Sequence, residues 1–243
     1  MLPRQLLFGQ PRYVPSTPWR ARWAIAATIA IFFAAQMVAA AVAGSAAVWI
    51  VESPQAALLL WLIVSQSAMV LLVVVAAGLL GGRRQEILQL HPVQQAPWLI
   101  GLAFVAMLVI LGLLNALLYG LMGHDAMADL RPHLELIRSD TWLLAALAIG
   151  VGAPLMEELT FRGFLQSALA QRLGFWPAAL ITTAVWTLLH WGYSVAGMAE
   201  VFLIGLYFSW LLWRTGSLWP ALICHALYNS GLVLLLRYAP LPV

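Results

Sequence analysis

Seven long apolar stretches alternate with short polar breaks along this chain. They run over about 23–47, 55–80, 98–122, 141–171, 176–191, 195–213 and 217–236. A helix that spans a membrane needs roughly 20 apolar residues. The pattern therefore predicts an all-α, polytopic transmembrane helix bundle of about seven spans. Pro54, Gly81 with Gly82, Pro92, Pro97, Gly174 with Pro177, and Gly216 punctuate the stretches, as helix breakers should. With no repeat, low-complexity tract or soluble domain between them, residues 1–243 read as a single membrane domain. It has a basic tail over 1–22 and spans from 23 onward.

The fourth stretch is too long for one span. A continuous helix over 141–171 would measure about 46 Å at 1.5 Å per residue, against roughly 30 Å of hydrocarbon. Gly150, Gly152 and Pro154 lie inside it, just before Glu157 and Glu158. Proline removes a backbone donor and bends or breaks a helix. The sequence predicts a kink or break at Pro154 and a second helix starting there, with the two acids near its positive end.

Composition sharpens this picture. The chain is 63% hydrophobic and 9% charged, where a soluble domain carries about a quarter charged residues. All twelve basic residues are arginines, and most stand in the tail and short loops. They read as topology signals rather than nucleic-acid contacts, so no nucleic-acid partner is expected. The basic tail (Arg4, Arg12, Arg20, Arg22), Arg83 with Arg84, Arg172 and Arg214 alternate with the Glu52 loop and the acidic 123–140 loop. The positive-inside rule then predicts a multi-pass cell-membrane protein with a cytoplasmic N-terminus; Arg237 is a mild exception. The first run is too long for a cleaved signal and reads as a retained anchor. The single Cys224 excludes an internal disulfide.

The few polar groups inside the apolar stretches matter most. An ionisable side chain at bilayer depth costs about 2.5–3.5 kcal/mol on insertion scales and marks function by default. Glu158 and Arg162 are spaced i, i+4 and can pair on one face. Neighbours on a helix point about 100° apart, so Glu157 should face elsewhere as a free carboxylate suited to general base work. His225 and Asn229 also share a face, offering donors that could grip an oxygen gaining negative charge. Interhelical hydrogen bonding is the plainer use of such a pair, and one buried ion cluster the plainer use of Glu157, Glu158 and Arg162. His190, four residues after Trp186, would be a packing residue if alone; the company of Glu157 and His225 raises it. Cys224 and His225 are adjacent and diverge, against a Cys–His nucleophile. His91, His124 and His133 read as solvated loop residues.

Three segments together resemble a known family. Pro154-Leu-Met-Glu-Glu-Leu-Thr-Phe-Arg-Gly163 is similar to the first motif of the CPBP (CAAX prenyl protease type II, Abi or bacteriocin-processing) intramembrane proteases. Trp186-Thr-Leu-Leu-His190 stands where their middle motif has Phe-x-x-x-His. Arg214 through Asn229 resembles their last motif. The resemblance covers about 141–236 and implies that the last four spans form the catalytic core (141–237), with 23–140 as accessory spans. It implies an endopeptidase acting on a peptide or membrane-protein substrate in the bilayer. Glu157, helped by His190, would be the base on water. His225 and Asn229 would form the oxyanion hole, and Glu158 with Arg162 the supporting pair.

The family has also been labelled a metalloprotease. Zinc on Glu157, His190 and His225 would follow the three-ligand catalytic pattern. There is no His-Glu-x-x-His, and Asn229 is a poor zinc ligand. No metal cofactor is therefore favoured, and zinc stays as the alternative. A non-proteolytic immunity factor or scaffold, with the polar cluster as helix glue, is the rival function. A transporter with midplane carboxylates is a third reading.

Overall fold

The computed structural model describes residues 10–240, apart from 16, 51–53, 95 and 124–125. Arg4, Glu52 and His124, named above, lie outside the described residues. Every regular element described is a helix. α1 is Ala21–Ile50, α2 Pro54–Leu79, α3 the single turn Arg84–Ile87, α4 Pro97–Met122 and α5 Ala126–Arg138. α6 runs Trp142–Leu173, α7 Phe175–Leu188, α8 Val195–Thr215 and α9 Trp219–Tyr238.

Six of these helices, α1, α2, α4, α6, α8 and α9, are long and apolar enough to cross a membrane. The expected count of seven is corrected in one place. α7 has 14 residues, about 21 Å at 1.5 Å per residue, short of the roughly 30 Å hydrocarbon layer. The apolar run continues past Leu188, but the backbone turns there. α7 still leads from one end of the bundle toward the other. It starts right after α6 at Gly174, and beyond it Ser194 takes two bonds to Asp129 of α5 at the opposite end.

Hydrogen bonds define both ends. At one, the Arg12 and Tyr13 amides donate to the Trp213 carbonyl at 3.1 and 3.2 Å, and Gln89 Nε2 donates to Val14 O at 3.3 Å. Ser217 Oγ donates to His91 O at 2.8 Å. The segments carrying Arg12, Arg20, Arg22, Arg83, Arg84, Arg172 and Arg214 therefore gather at this end. At the other, Arg138 Nε donates to Leu236 O at 3.2 Å and Arg237 Nη1 to Ile137 O at 3.3 Å, tying α5 to the end of α9.

The outer surface is apolar, unlike that of a soluble domain. Phe33, Met37, Leu113, Leu117 and Leu143 point outward and are exposed, a surface that suits lipid and would drive association in water. α6 is central. Its Phe161, Leu165 and Leu169 pack with Trp186, Phe208 and Leu211 of α7 and α8 and with Met107 of α4. Its Leu159, Phe164 and Ala168 pack with Ala24, Ala35, Met69 and Val73 of α1 and α2.

The segment 123–140, expected as a loop, holds α5. Leu130, Leu134 and Ile137 recur at helical spacing and pack around Val233 and Leu236 of α9. Asp129, Arg131, His133, Glu135 and Arg138 break up its apolar positions, which hid it among longer apolar runs.

Candidate active site

The expected break at Pro154 does not occur. α6 stays helical from Trp142 to Leu173, because it widens instead of breaking: Ala148–Gly152 and Glu158–Gln166 are π-helical. Ala153 N–H reaches back to Ala148 O, five residues earlier. In that phase the Ile149 carbonyl would take the N–H of residue 154, and in the α phase the Gly150 carbonyl would. Residue 154 is proline and has none. Both oxygens take a side-chain donor from α9: Asn229 Nδ2 to Ile149 O at 3.1 Å, and Ser230 Oγ to Gly150 O at 3.3 Å. A Cβ on Gly150 would stand 2.6 Å from Ser230 Oγ, so only glycine admits α9 this closely. The proline defect thus docks α9 onto α6, as π-bulges at functional sites often do.

That docking sets the acids against His225. Arg162 Nη1 donates to Glu158 Oε1 at 3.0 Å with both side chains fully buried, the pair that helix spacing predicts. Arg162 Nε and Nη2 have no hydrogen-bond partner among the described residues. The guanidinium instead lies over the Trp186 ring at 4.3 Å and near Phe208 at 5.8 Å, where ring faces attract a cation. A Cβ on Gly205 would come within 2.7 Å of Arg162 Nη2.

His225 Nδ1 stands 2.9 Å from Glu158 Oε1, and its Nε2 is 3.9 Å from Glu157 Oε2. Here an expectation fails. Glu157 and Glu158 do diverge along the helix, yet both face one target, since the imidazole presents a nitrogen to each. Phe208 stacks on that ring at 4.8 Å and 21°. Glu157 also has a partner of its own: Trp186 Nε1 donates to its Oε2 at 2.7 Å.

His190 lies just past α7. Its Nδ1 is 3.0 Å from Trp186 O. A carbonyl can only accept, so Nδ1 carries the hydrogen and a neutral ring keeps its lone pair on Nε2.

Glu157, His190, His225 and Asn229 all line one cavity of about 190 Å³. They come from three distant stretches of chain. Glu158 and Arg162 sit behind the wall, buried. Leu111 and Asn115 of α4 and residues of α5 also line the cavity, so segments before 141 help to build it. Cys224 is buried with its thiol toward Ile100 O at 3.9 Å, away from the histidines.

Sequence reasoning passed over several lining residues: Asp129, His133, Tyr193, Glu200 and Tyr228. His133 is a correction. It is not a solvated loop residue but part of α5, edge-on to Tyr193 at 6.4 Å. Burial, with His190 nearby, holds its pKa below the usual 6.5. The phenol of Tyr193 is pushed up to about 12, first by burial and then by Glu157, Asp129 and Tyr228. The leucine and isoleucine spacing of α5 was the signal that could have placed His133.

Among the described residues, no group of three or more histidine, cysteine or acidic side chains is arranged to hold a metal. The zinc set of Glu157, His190 and His225 does not converge here. Nδ1 of each histidine is engaged and Glu157 Oε2 accepts the indole, which leaves Nε2 of both rings and Glu157 Oε1 as the donors a metal would use.

Residues 139–231 match the family model of Rce1-like type II CAAX prenyl endopeptidases. The match supports the resemblance of this stretch to the CPBP family. It spans α6 to most of α9 and contains all six polar residues built above. The chain is also 35% identical over 86 residues to an uncharacterized 24.3 kDa protein of Escherichia coli. That alignment covers 34% of this chain and 40% of the relative's length. No solved structure matches the chain. The matched stretch carries Glu157, His190, His225 and Asn229 of the cavity lining, while α1 to α5 lie outside the match.

Proposed function

We propose that this protein is an intramembrane endopeptidase cleaving a membrane-associated peptide or membrane-protein substrate. The observation that carries the reading is the meeting of Glu157, His190, His225 and Asn229 around one cavity, within the stretch that matches the family model. Glu157 takes a proton from water, with His190 Nε2 as the second acceptor. The hydroxide attacks the scissile carbonyl carbon, and the carbonyl oxygen becomes an oxyanion. His225 Nε2–H, on an imidazolium whose Nδ1–H is held by Glu158, and the second amide N–H of Asn229 stabilise it. The C–N bond then breaks, and the proton passes from Glu157 to the leaving amine. Glu158 and Arg162 hold His225 by its Nδ1.

The arginine-bearing end of the bundle faces the cytoplasm in this proposal, following the positive-inside rule. The test is cleavage of quenched transmembrane peptides by the purified full chain in proteoliposomes, wild type against Glu157→Gln. Loss of cleavage with an unchanged fold supports the reading.

One observation favours the rival. Asn229 already bonds Ile149 O and His225 already bonds Glu158, as helix glue in a non-proteolytic scaffold or immunity factor would. Cleavage decides between the two.

A further inference from the structure

Trp186 touches three members of the polar constellation. Its indole N–H donates to Glu157 Oε2 at 2.7 Å. Its ring covers Arg162 at 4.3 Å. Its main-chain carbonyl accepts from His190 Nδ1 at 3.0 Å. The residue is 2% exposed, so water does not compete for the indole. An indole nitrogen is a donor only, which fixes the sense of the bond, and a bond to a carboxylate is among the stronger kinds. It occupies the same oxygen that faces His225 Nε2. Oε1 is left for the water proton. A Cβ on Gly205 would stand 2.8 Å from Trp186 Cζ3, so the ring packs directly against the α8 backbone.

Taking Glu157 as the base, which rests on the function proposed above, we infer that Trp186 is a positioning residue whose indole N–H fixes the Glu157 carboxylate with Oε1 toward water. Phenylalanine, the usual residue of the middle motif, would keep a ring over Arg162 but supply no donor. This chain therefore orients its base through a bond that a phenylalanine could not make.

The test uses the full chain in proteoliposomes and the quenched peptide that wild type cleaves best. Trp186→Phe should lower kcat about ten- to a hundredfold, with KM within about twofold of wild type. Replacing Trp186 with benzothienylalanine, which keeps the ring shape without the N–H, should do the same and covers the case in which Trp186→Phe misfolds. Indole ¹H–¹⁵N spectra report the bond without activity: the Trp186 signal, assigned by its loss in Trp186→Phe, should move upfield in Glu157→Ala. A signal that stays put overturns the bond. A signal that moves while both ring variants keep wild-type kcat overturns the positioning role. A wild type that cleaves nothing overturns the proposed function and this role with it, and the wild-type control tells that failure from the others.

Discussion

Asn229 donates its side-chain amide to the main-chain oxygen of Ile149 at 3.1 Å. Pro154 strands that carbonyl oxygen, so this bond holds α9 to α6 at the level of the acids. An amide has two N–H groups, and the second is the one assigned to the oxyanion. Asn229→Ala should therefore lose both functions, while Ser230→Ala should lose only the neighbouring docking bond. The expected outcome is a cost of about 1 kcal/mol for Ser230→Ala with cleavage retained, and a drop in kcat of about a hundredfold or more for Asn229→Ala. Thermal unfolding in detergent, run beside kinetics, separates the two. Equal kinetics in both variants would contradict the oxyanion assignment.

The Glu158–Arg162 pair predicts an asymmetry in stability. Removing one partner of a buried pair costs about 3–5 kcal/mol, whereas replacing both can be nearly neutral. Arg162→Met should be strongly destabilising, and the double variant Arg162→Met with Glu158→Gln less so. Unfolding midpoints of the three proteins check this, and a double variant worse than the single would count against the pairing.

His133 predicts a pH effect outside the spans. Its folded pKa lies below 6.5 because the ring is buried. Between that lowered value and 6.5 the unfolded chain binds a proton that the folded chain does not. Stability should therefore fall as pH drops below about 6.5 and level off beneath the folded pKa. His133→Phe should remove that part of the slope. The check is the unfolding midpoint from pH 7.5 to 5 for both proteins; identical slopes would remove His133 from the account.

Metal dependence gives a further outcome. The proposed mechanism routes no step through a metal, so cleavage should survive exhaustive chelation. Loss of activity restored by stoichiometric zinc would turn the mechanism to a metal one.

Much of this architecture was legible in advance. Six spans follow from apolar length alone, and the Glu158–Arg162 bond follows from i, i+4 spacing. The misses have physical causes. α7 ends at Leu188 although the apolar run continues, since hydropathy does not mark where a backbone turns. Pro154 suggested a break, but side chains 75 and 76 residues later satisfy the carbonyls it strands, and no local pattern reveals that. Glu157 and Glu158 meet one imidazole because a ring has two nitrogens, which helix geometry alone does not consider. α5 carries helical spacing on a polar background and was overlooked beside stronger signals.

The most direct measurement is cleavage of a quenched transmembrane peptide in H₂¹⁸O, with the fragments weighed by mass spectrometry. Wild type should yield fragments bearing one ¹⁸O in each new carboxylate, and folded Glu157→Gln should yield none. Fragments released by Glu157→Gln at the wild-type rate would contradict the role given to Glu157.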